Sequence, residues 1–385
     1  MIRVAWRVPN TTNWIGGLNY FRNLLNAMEL QPNRQVLPII LGGKDLLPEP
    51  LNHLESIPDI YLGSSVNPKA FFSKVERLVF QNGGYFARYL KKNKIRLLSH
   101  SDFLGSRSPV PALGWIPDFQ HMHLPQFFTR KEILQRRMVH NMMAREMQGI
   151  VFSSEHALRD FQRYYPKHRC KIFVLKFSVT NTSESLDTSS SILENYGIRE
   201  PFFHLPNQFW AHKNHGLVID AMKILESRGG CPLVVSTGQT HDYRCPGYFE
   251  ELKEKVKKFK LTDRFRILGL IEYSNVAILL KKSVCIINPS LFEGWSTTVE
   301  EAKSLGKRIL LSSIPVHHEQ NPLRGTFFQP NDPDFLADQM ERIFNEYDPK
   351  KEEEKSKTAA IGYPEEVNKF AQEYENIVST MVKIC

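Results

Sequence analysis

The chain has 385 residues, of which 42% are hydrophobic and 24% are charged, and its formal net charge is +9. This length suffices for two or three domains, and the hydrophobic share excludes a largely disordered protein. The apolar runs are strand-sized rather than the roughly 20 residues that span a bilayer, and the five scattered cysteines disfavour a disulfide or metal framework.

Short apolar strands alternate with helical patterns from the amino terminus, which is typical of βαβ units. In the first half, strands are predicted at 2–8, 35–41, 95–101, 112–118, 149–154 and 171–177. The stretch "GGLNYFRNLLNAMEL" (16–30) has its apolar residues spaced for one helical face, as at Tyr20, Leu24 and Met28. Residues 1–180 are therefore predicted to form an N-terminal Rossmann-like domain.

A polar stretch rich in Ser and Thr follows, and residues 181–191 are predicted to be a linker. After it the alternation resumes, with strands predicted at 201–207, 231–238, 264–270, 284–290 and 308–313 and a helix at 216–230. This indicates a second Rossmann-like domain over 192–355. A helical segment over 356–385 is expected to pack back towards the first domain. Two such domains are expected to face each other across a cleft, where parallel sheets bind ligands at the carboxyl ends of their strands.

Two glutamates stand eight positions apart in "FEGWSTTVEEAKSLG" (292–306). Glu293 is predicted in a loop and Glu301 in the first turns of a helix. One carboxylate can accept hydrogen bonds from two neighbouring sugar hydroxyls, and a helix start suits a phosphate. The pattern thus fits a nucleotide-sugar. The alternative is that Glu301 only complements the helix dipole and Glu293 is a solvated loop residue.

The same stretch carries local signals for the helix itself. Thr297 is predicted as the N-cap with Glu300 as its capping-box partner, and Gly306 fits the end of the helix. Gly294 lets the backbone approach a ligand closely.

The 35 residues "NPSLFEGWSTTVEEAKSLGKRILLSSIPVHHEQNP" (288–322) resemble the E-x7-E motif of retaining glycosyltransferase family 4, which has the GT-B fold. The resemblance implies that Glu293 contacts the hydroxyls of the donor sugar at the reaction centre and that Glu301 binds the ribose. It also implies that backbone amides around Trp295, Ser296 and Thr297 receive sugar or phosphate oxygens.

Residues 203–225, "FHLPNQFWAHKNHGLVIDAMKIL", resemble the diphosphate loop of that family, in which an arginine and a lysine five positions later hold the phosphates. Lys213 matches the lysine and is expected to act in catalysis. Gln208, which follows Asn207 in the expected donor site, stands where the arginine is usual. The missing charge is expected to be met by Lys213, helix dipoles and His212.

Two further stretches resemble donor-binding segments of the family. "TNWIGGLNYFRNLL" (12–25) resembles its N-terminal glycine loop, where Gly16 and Gly17 let the first helix approach the donor phosphate; the alternative is an ordinary turn before a helix. "RILGLIEYSNVAILLKKS" (266–283) resembles the segment whose backbone holds the base, near Leu270 and Ile271.

The stretch "GWIPDFQHMHLPQFF" (114–128) corresponds to a loop that often carries a His-Asp pair facing the donor sugar. Pro117 takes the position usual for the histidine, and Asp118 keeps the acid. Asp118 or His121 is predicted to orient the sugar or accept a proton. The alternative for His121 and for His123 is a hydrogen-bonded structural residue.

Other residues are expected to have structural roles. The "DPD" at 332–334 imitates a metal-binding D-x-D but is predicted to be a proline turn and helix N-cap. His317 and His318 are predicted to be structural. Neither a metal nor a cofactor is expected.

Basic residues concentrate in the first half, with eleven Lys/Arg against four Asp/Glu over 127–176. Such a surface attracts anionic lipid, phosphorylated substrates or nucleic acid, although no nucleic-acid motif is present and no such partner is expected. Residues 69–94 mix aromatic and basic residues, which fits either a helix on a membrane surface or a core-facing helix pair with solvated lysines.

The resemblance implies a retaining, metal-independent hexosyltransferase that moves a sugar from a UDP- or GDP-linked donor to a glycan or lipid-linked acceptor. Relatives build bacterial surface polysaccharide, such as O-antigen lipopolysaccharide or capsule. A cytoplasmic protein, peripheral at the cytoplasmic face of the inner membrane, is therefore expected. Two alternatives remain: a sugar-nucleotide epimerase of the same fold, and a non-catalytic nucleotide-sugar binder.

Overall fold

The computed structural model describes residues 1–7, 15–42, 53–58, 84–101, 104–180 and 191–384. Two compact units divide the chain. Unit 1 consists of Met1–Phe119, Arg130–Thr180 and Glu365–Cys385, and unit 2 of Gln120–Thr129 and Asn181–Pro364. The predicted linker lies, except for Ser191, outside the described residues, and the sequence-based domain boundaries remain predictions.

Thirteen strands and fourteen α-helices are found in the described part of the chain. The strands are β1 Ile2–Arg7, β2 Val36–Leu41, β3 Glu55–Ile57, β4 Leu97–Ser99, β5 Ala112–Ile116, β6 Gly149–Phe152, β7 Lys171–Val174, β8 Phe202–Leu205, β9 Leu233–Thr237, β10 Phe265–Gly269, β11 Cys285–Asn288, β12 Ile309–Ser312 and β13 Gly325–Phe328. The helices are α1 Ile15–Glu29, α2 Gly84–Lys92, α3 Gln120–His123, α4 Arg130–Glu146, α5 Glu155–Tyr164, α6 Ser191–Asn195, α7 His215–Ser227, α8 Tyr248–Lys258, α9 Tyr273–Lys282, α10 Thr297–Ser304, α11 Pro315–Gln320, α12 Pro333–Asn345, α13 Pro349–Ala360 and α14 Tyr363–Met381.

Each unit contains one parallel sheet. The strand order is β3-β2-β1-β4-β5-β6-β7 in unit 1 and β10-β9-β8-β11-β12-β13 in unit 2. Every pairing is parallel, with Val4 opposite Leu97 in the first sheet and Ile286 opposite His204 in the second. The inner strands of the second sheet are buried along their whole length, as expected where helices cover both faces.

The order of each sheet reverses at one point, between β1 and β4 in unit 1 and between β8 and β11 in unit 2. Doubly wound sheets bind ligands outside the carboxyl ends of the strands at such a switch point. The loops that follow β8 and β11 are therefore the first place to look for a site in unit 2.

Two short edge strands, β3 and β13, are absent from the strands predicted by sequence. β3 has only three residues, of which Glu55 is exposed, and β13 begins with Gly325 and Thr326. Neither presents the continuous apolar run by which the inner strands are recognised.

The carboxyl-terminal segment forms two helices, α13 and α14, separated at Ile361 and Gly362. In unit 1, the Tyr374 hydroxyl of α14 donates to the Ser99 hydroxyl over 2.8 Å, and its ring lies 5.7 Å from that of Trp6. None of the described helices is both long and apolar enough to cross a membrane.

The predicted aromatic and basic region at 69–94 is described only from residue 84 onward. There α2 buries Phe86 and Leu90 and exposes Lys91 and Lys92. The described part thus behaves as a core-facing helix with solvated lysines.

The helix that carries Glu301 begins one residue earlier than its sequence predicted. The N-cap of α10 is Ser296, whose hydroxyl accepts from the Val299 amide, and Thr297 is the first helical residue. Because the N-cap lies at 296, Glu300 is one position too far along for a capping box. Its carboxylate instead accepts from Gln320 and Tyr363.

The end of α10 depends on Gly306. Its φ is +59°, and the Lys307 amide donates back to the Ala302 carbonyl, which closes the last turn. A β-carbon at this position would overlap the Ser356 carbonyl oxygen of α13. Only glycine therefore allows α13 to lie against the end of α10.

We expect Gly306→Ala to lower the free energy of unfolding by about 2–4 kcal/mol, because a left-handed conformation and an overlap are imposed together. The matched control is Gly230→Ala, whose β-carbon meets no atom of the described residues within 4 Å, and which should change stability by less than about 0.5 kcal/mol. Urea unfolding of the three proteins measures the difference. Equal effects of the two substitutions would contradict the close approach at Gly306.

Candidate functional site

Two loops meet at the switch point of the second sheet. Residues 206–214 follow β8, and residues 289–296 follow β11. At their bases the Asn207 amide donates to the Asn288 side chain over 3.2 Å, and the Thr298 hydroxyl lies 3.4 Å from the Asn207 oxygen. Buried amides at the ends of the two central strands thus tie the loops together.

The ammonium of Lys213 lies 2.6 Å from Glu293 Oε1. The Ser290 hydroxyl donates to the same oxygen over 2.7 Å. The two charged side chains are only 18% and 9% exposed, so water screens their attraction weakly. The structure thus brings together the lysine and the first glutamate of the predicted donor site.

The turn that presents Lys213 is fixed by its neighbour Asn214. Asn214 has φ +56° and donates from its side chain to the carbonyls of Pro289 and Pro330. Asparagine tolerates this left-handed conformation better than most residues. The Leu291 amide also donates to the His212 carbonyl over 2.8 Å. The position of the Lys213 backbone is thereby set by the loop that carries Glu293.

Glu301 lies in the second turn of α10 and is buried. Its Oε1 accepts from the Tyr273 hydroxyl over 2.8 Å. Burial raises the pKa of Glu301 to about 7, and the hydrogen bond from Tyr273 opposes part of that rise. The carboxyl is therefore held near half-ionisation at neutral pH.

The amide of Ser296, one of the predicted ligand donors, is already engaged. It donates to the Gln320 side chain over 3.1 Å, and that side chain donates back to the Ser296 carbonyl over 2.9 Å. Thr297 begins the helix, so its amide has no intrahelical acceptor. Trp295 and Gly294 are half-buried and complete the turn.

The backbone at Asn207 and Gln208 is approached closely by another loop. Gly238, which follows β9 with φ +143°, lies so near that a β-carbon would overlap the Asn207 carbonyl. Sequence reasoning did not single out Gly238. Gln208 itself is half-buried, and its carbonyl accepts from the Trp210 amide over 2.7 Å.

Residues 120–129 belong to unit 2, although they follow the fifth strand of unit 1. The guanidinium of Arg244 donates to the Gln120 side chain over 2.8 Å and lies 5.0 Å from the Phe128 ring centroid. It also lies 4.5 Å from the Trp210 ring. The His123 ring lies 5.1 Å from that of Phe292, the neighbour of Glu293.

Arg244 also contacts the turn before Lys213. Its Nη2 is 3.3 Å from His212 Nδ1, and Asp242 accepts from the Ala211 amide over 3.0 Å. Arg244 therefore links the segment that carries His121 to the predicted phosphate loop. The signal in the sequence is one arginine in "HDYRCPG", which no local pattern distinguishes.

The prediction that His212 supplies a positive charge is wrong. Burial, followed by the charges of Lys213 and Arg244, holds the pKa of His212 well below its ordinary value of 6.5. The imidazole is therefore neutral at neutral pH.

The other predicted site residues fall in both units. Gly16 and Gly17 lie in unit 1, inside the first turn of α1 rather than in a loop before it, because the helix begins at Ile15. Asp118 is half-buried in unit 1 after β5. In unit 2, His121 is buried within α3, and half-buried Ile271 packs at the end of β10.

The structural roles of two other groups are visible. Asp332 caps α12 by accepting from the Phe335 amide, so the D-x-D imitation is a helix start. His317 is buried and bonded to Ser312, and His318 stacks on Phe327 at 4.2 Å between centroids.

Chemically, the loops after β8 and β11 present the cation of Lys213, the carboxylate of Glu293 and the start of α10, and α10 itself adds the carboxylate of Glu301 in a different environment. A cation and helix amides suit phosphate oxygens, and carboxylates suit hydroxyls. A ligand with both kinds of group fits this combination.

Residues 194–361 match the family model of glycosyl transferases group 1. Over 134 residues the chain is 25% identical to the O-antigen chain mannosyltransferase RfbU of Salmonella typhimurium, covering 35% of this chain and 36% of that protein. It is 27% identical over 97 residues to the gpi3 subunit of a phosphatidylinositol N-acetylglucosaminyltransferase of Schizosaccharomyces pombe, covering 25% of this chain and 21% of that protein. The matches thus span about a third and a fifth of those two relatives.

Solved structures match over almost the whole chain. Anabaena HepE in complex with UDP and glucose has a TM-score of 0.71 at 15% identity, covering 99% of this chain and 100% of that one. A glycosyltransferase of Rickettsia africae has a TM-score of 0.70 at 17% identity, covering 99% of both chains. The predicted fold class, GT-B with two Rossmann-like domains, is confirmed.

Ionisation of buried Glu301 should cost stability. Its pKa of about 7 lies above the ordinary value of 4.5, so the folded state loses stability as the pH rises between these values, on the order of 3 kcal/mol in all. We expect Glu301→Gln to stabilise the protein relative to wild type at pH 8 and to lose most of that advantage at pH 5. Urea unfolding at both pH values measures it. Exposed Glu251→Gln is the control, and a Glu301→Gln advantage that is the same at both pH values would contradict the raised pKa.

Arg244 should hold residues 120–129 in place. We expect Arg244→Met, which keeps much of the apolar stem but removes the guanidinium, to increase amide hydrogen exchange across 120–129 by at least about tenfold, the loss expected for one hydrogen bond to a charged group. The control is Arg228→Met, which removes a surface arginine paired with Asp338 and Glu341. Unchanged exchange in the Arg244 variant would show that the segment is held by other contacts.

Proposed function

We propose that the chain is a retaining, metal-independent glycosyltransferase. It moves a sugar from a UDP- or GDP-linked donor to a hydroxyl of a glycan or lipid-linked acceptor, in bacterial surface polysaccharide synthesis. The observation that carries the proposal is the contact between Lys213 and Glu293 at the switch point of the second sheet. A phosphate bound by Lys213 and a hydroxyl bound by Glu293 would lie next to each other, as these groups do in a nucleotide-sugar.

The assignment of the donor follows from what each group can bind. Lys213 and the start of α10 meet the diphosphate, since both offer positive charge. Glu293 accepts from the sugar hydroxyls beside the phosphate. Glu301 lies deeper in α10, and its carboxylate, which accepts from the Tyr273 hydroxyl, also accepts from the ribose. The backbone at Ile271, after β10, lies beside the base.

Catalysis then rests on stabilising the leaving diphosphate. Negative charge grows on the phosphate as the glycosidic bond breaks, and a fixed cation in a poorly screened site stabilises it. Glu293 is bonded to both Lys213 and Ser290, which suits a group that orients hydroxyls rather than a free nucleophile. This favours a front-face route, in which the acceptor enters on the side of the departing phosphate and the anomeric configuration is retained. Asp118 or His121 would orient the sugar or accept the proton of the acceptor hydroxyl.

The similarities support the choice of donor and pathway class. HepE was crystallised with UDP and glucose, and RfbU is named as an O-antigen chain mannosyltransferase. A lipid-linked acceptor would place the protein, peripherally, at the cytoplasmic face of the inner membrane.

The defining experiment screens UDP- and GDP-sugars by thermal stabilisation and then measures transfer to lipid-linked glycan. A donor at about 100 times its dissociation constant adds roughly 2.7 kcal/mol of stability. Transfer should persist after treatment with a chelator, and NMR of the product should show the donor's anomeric configuration. Loss of activity that magnesium or manganese restores, inversion, or free epimerised nucleotide-sugar without acceptor would each refute part of the proposal. Donor binding with no transfer to any acceptor would favour a non-catalytic binder.

Lys213 should matter more in the transition state than in the ground state, because charge on the β-phosphate grows as the bond breaks. We expect Lys213→Ala to lower kcat by about 10²–10³-fold and to change KM less. The matched control is Lys255→Ala, since Lys255 makes an ion pair of the same 2.6 Å length with Asp220 elsewhere in unit 2.

Gln208 should contribute less than Lys213. A neutral amide supplies an ordinary hydrogen bond, typically 0.5–1.5 kcal/mol, so Gln208→Ala should reduce kcat/KM by roughly tenfold or less. Gln208→Arg should bind the nucleoside diphosphate more tightly without faster turnover, since product release then slows. Steady-state kinetics of the variants test both assignments. If Gln208→Ala is inactive while Lys213→Ala is nearly normal, the phosphate contact has been assigned to the wrong residue.

A further inference from the structure

Helix α4 of unit 1 exposes an unusual row of apolar side chains. Leu134 and Met138 are 60% and 59% exposed, and Met142 is also exposed. These three residues are spaced four apart, which places them on one face of the helix. Val139 beside them is exposed as well, so four large apolar side chains face solvent within nine residues.

The opposite side of α4 explains why this row points outward. His140 and Ala144 are buried, and the His140 ring lies 5.1 Å from that of Phe119. The Ala144 carbonyl accepts from the Arg169 amide over 2.9 Å. The helix is thus attached to unit 1 through one face, which holds the other face in a fixed orientation.

Basic residues border the apolar row. Arg130 and Lys131 lie four and three positions before Leu134, Arg137 lies three after it, and Arg145 lies three after Met142. Residues at these spacings are neighbours on a helix surface. All four are exposed, and within the described part of the chain none of them forms an ion pair. The helix carries five Lys/Arg against two Glu, and both glutamates are half-buried.

We propose that this face of α4, defined by Leu134, Met138, Val139 and Met142 with the four flanking cations, docks onto the surface of an anionic phospholipid bilayer. A helix of 17 residues lying flat places its apolar row about 5–10 Å into the boundary between headgroups and acyl chains. The flanking arginines and lysine then lie level with the lipid phosphates, where each contributes attraction.

The placement of charge on the face favours a bilayer over a protein partner. The core of a protein interface is depleted of charged residues. α4 instead sets cations directly beside its apolar row. Flexible aliphatic side chains bordered by positive charge suit a fluid, negatively charged surface.

The inference deepens the proposed function, because a lipid-linked acceptor is reached at such a surface, but vesicle binding itself is measured without donor or acceptor. Full-length protein is sedimented with vesicles of equimolar phosphatidylglycerol and phosphatidylcholine, and with phosphatidylcholine vesicles alone. We expect binding to the anionic vesicles that weakens strongly as salt rises from about 0.1 M to 1 M.

Two variants test the two parts of the face. Leu134→Ser with Met138→Ser should lower the partition coefficient at least tenfold, since two apolar side chains no longer leave water. Arg130→Gln, Lys131→Gln and Arg137→Gln combined should lower it on the order of 100-fold on anionic vesicles, about fivefold per charge, and leave binding to phosphatidylcholine unchanged.

Matched controls use exposed apolar and basic residues elsewhere. Leu323→Ser in unit 2 removes a leucine that is 83% exposed, and Lys91→Gln with Lys92→Gln removes exposed cations of α2. Neither control should change vesicle binding. Unaltered circular dichroism and donor binding would show that every variant is folded.

Three results would overturn the proposal. The first is absence of binding to anionic vesicles while donor binding persists, which would leave the proposed function standing. The second is loss of vesicle binding in the α2 variant but not in the α4 variants. The third is self-association in sedimentation velocity without vesicles that Leu134→Ser and Met138→Ser abolish, which would identify a second copy of the chain as the occupant.

Discussion

The ion pair between Lys213 and Glu293 is the interaction on which the site in unit 2 depends. It joins residues 80 positions apart in the chain, in the loops after the two strands where the sheet reverses its order. A poorly exposed ion pair is stable only when further hydrogen bonds satisfy its members. Ser290 supplies one to Glu293, and the left-handed turn at Asn214 fixes the backbone beside Lys213. Both charged groups are therefore oriented by the fold before any ligand arrives, which reduces the reorganisation that binding requires.

The two glutamates of the same motif occupy different electrostatic environments. Glu293 lies against a cation, whereas Glu301 is buried with a tyrosine hydroxyl as its partner, and its pKa is raised to about 7. An ionised Glu301 is unfavourable in the folded protein, and hydroxyl donors from a ligand would relieve that cost because they stabilise the charged form. The cost of burying the ionised carboxylate of Glu301 is thus offset by a ligand that donates hydrogen bonds to it. This favours a diol over an anion.

Much of the fold was predictable because eleven of the thirteen strands carry their own apolar runs, and the two edge strands were missed because they do not.

The residues of the site also differ in how far the sequence identifies them. Spacing singled out Glu293 and Glu301, the resemblance to the family's diphosphate loop singled out Lys213, and the structure brings Lys213 and Glu293 together. Arg244, Tyr273 and Gln320 were missed because their contacts join elements that are separated in the sequence and that no sequence pattern pairs. The N-cap was misplaced by one residue because Ser296 and Thr297 are chemically similar caps, and the bond from Asn288 to the Ser296 hydroxyl cannot be read from the sequence.

Because Gln208 stands where an arginine is usual, unit 2 has one positive charge fewer at the proposed diphosphate site. The neighbouring cation, Arg244, lies between the rings of Trp210 and Phe128 and donates to Gln120, so reaching a phosphate would break those contacts. His212 cannot replace it, because burial and the two nearby cations keep the imidazole neutral.

Lys213 is thus the cation best placed for a diphosphate, and Glu293 already holds it. A phosphate that approaches Lys213 must compete with that carboxylate, and the competition is relieved when hydroxyls of the same ligand donate to Glu293. Under the proposed function, binding of the two ends of a nucleotide-sugar is for this reason coupled. The phosphate replaces Glu293 at Lys213, the sugar hydroxyls replace Lys213 at Glu293, and a ligand with only one of these groups cannot fully replace the ion pair.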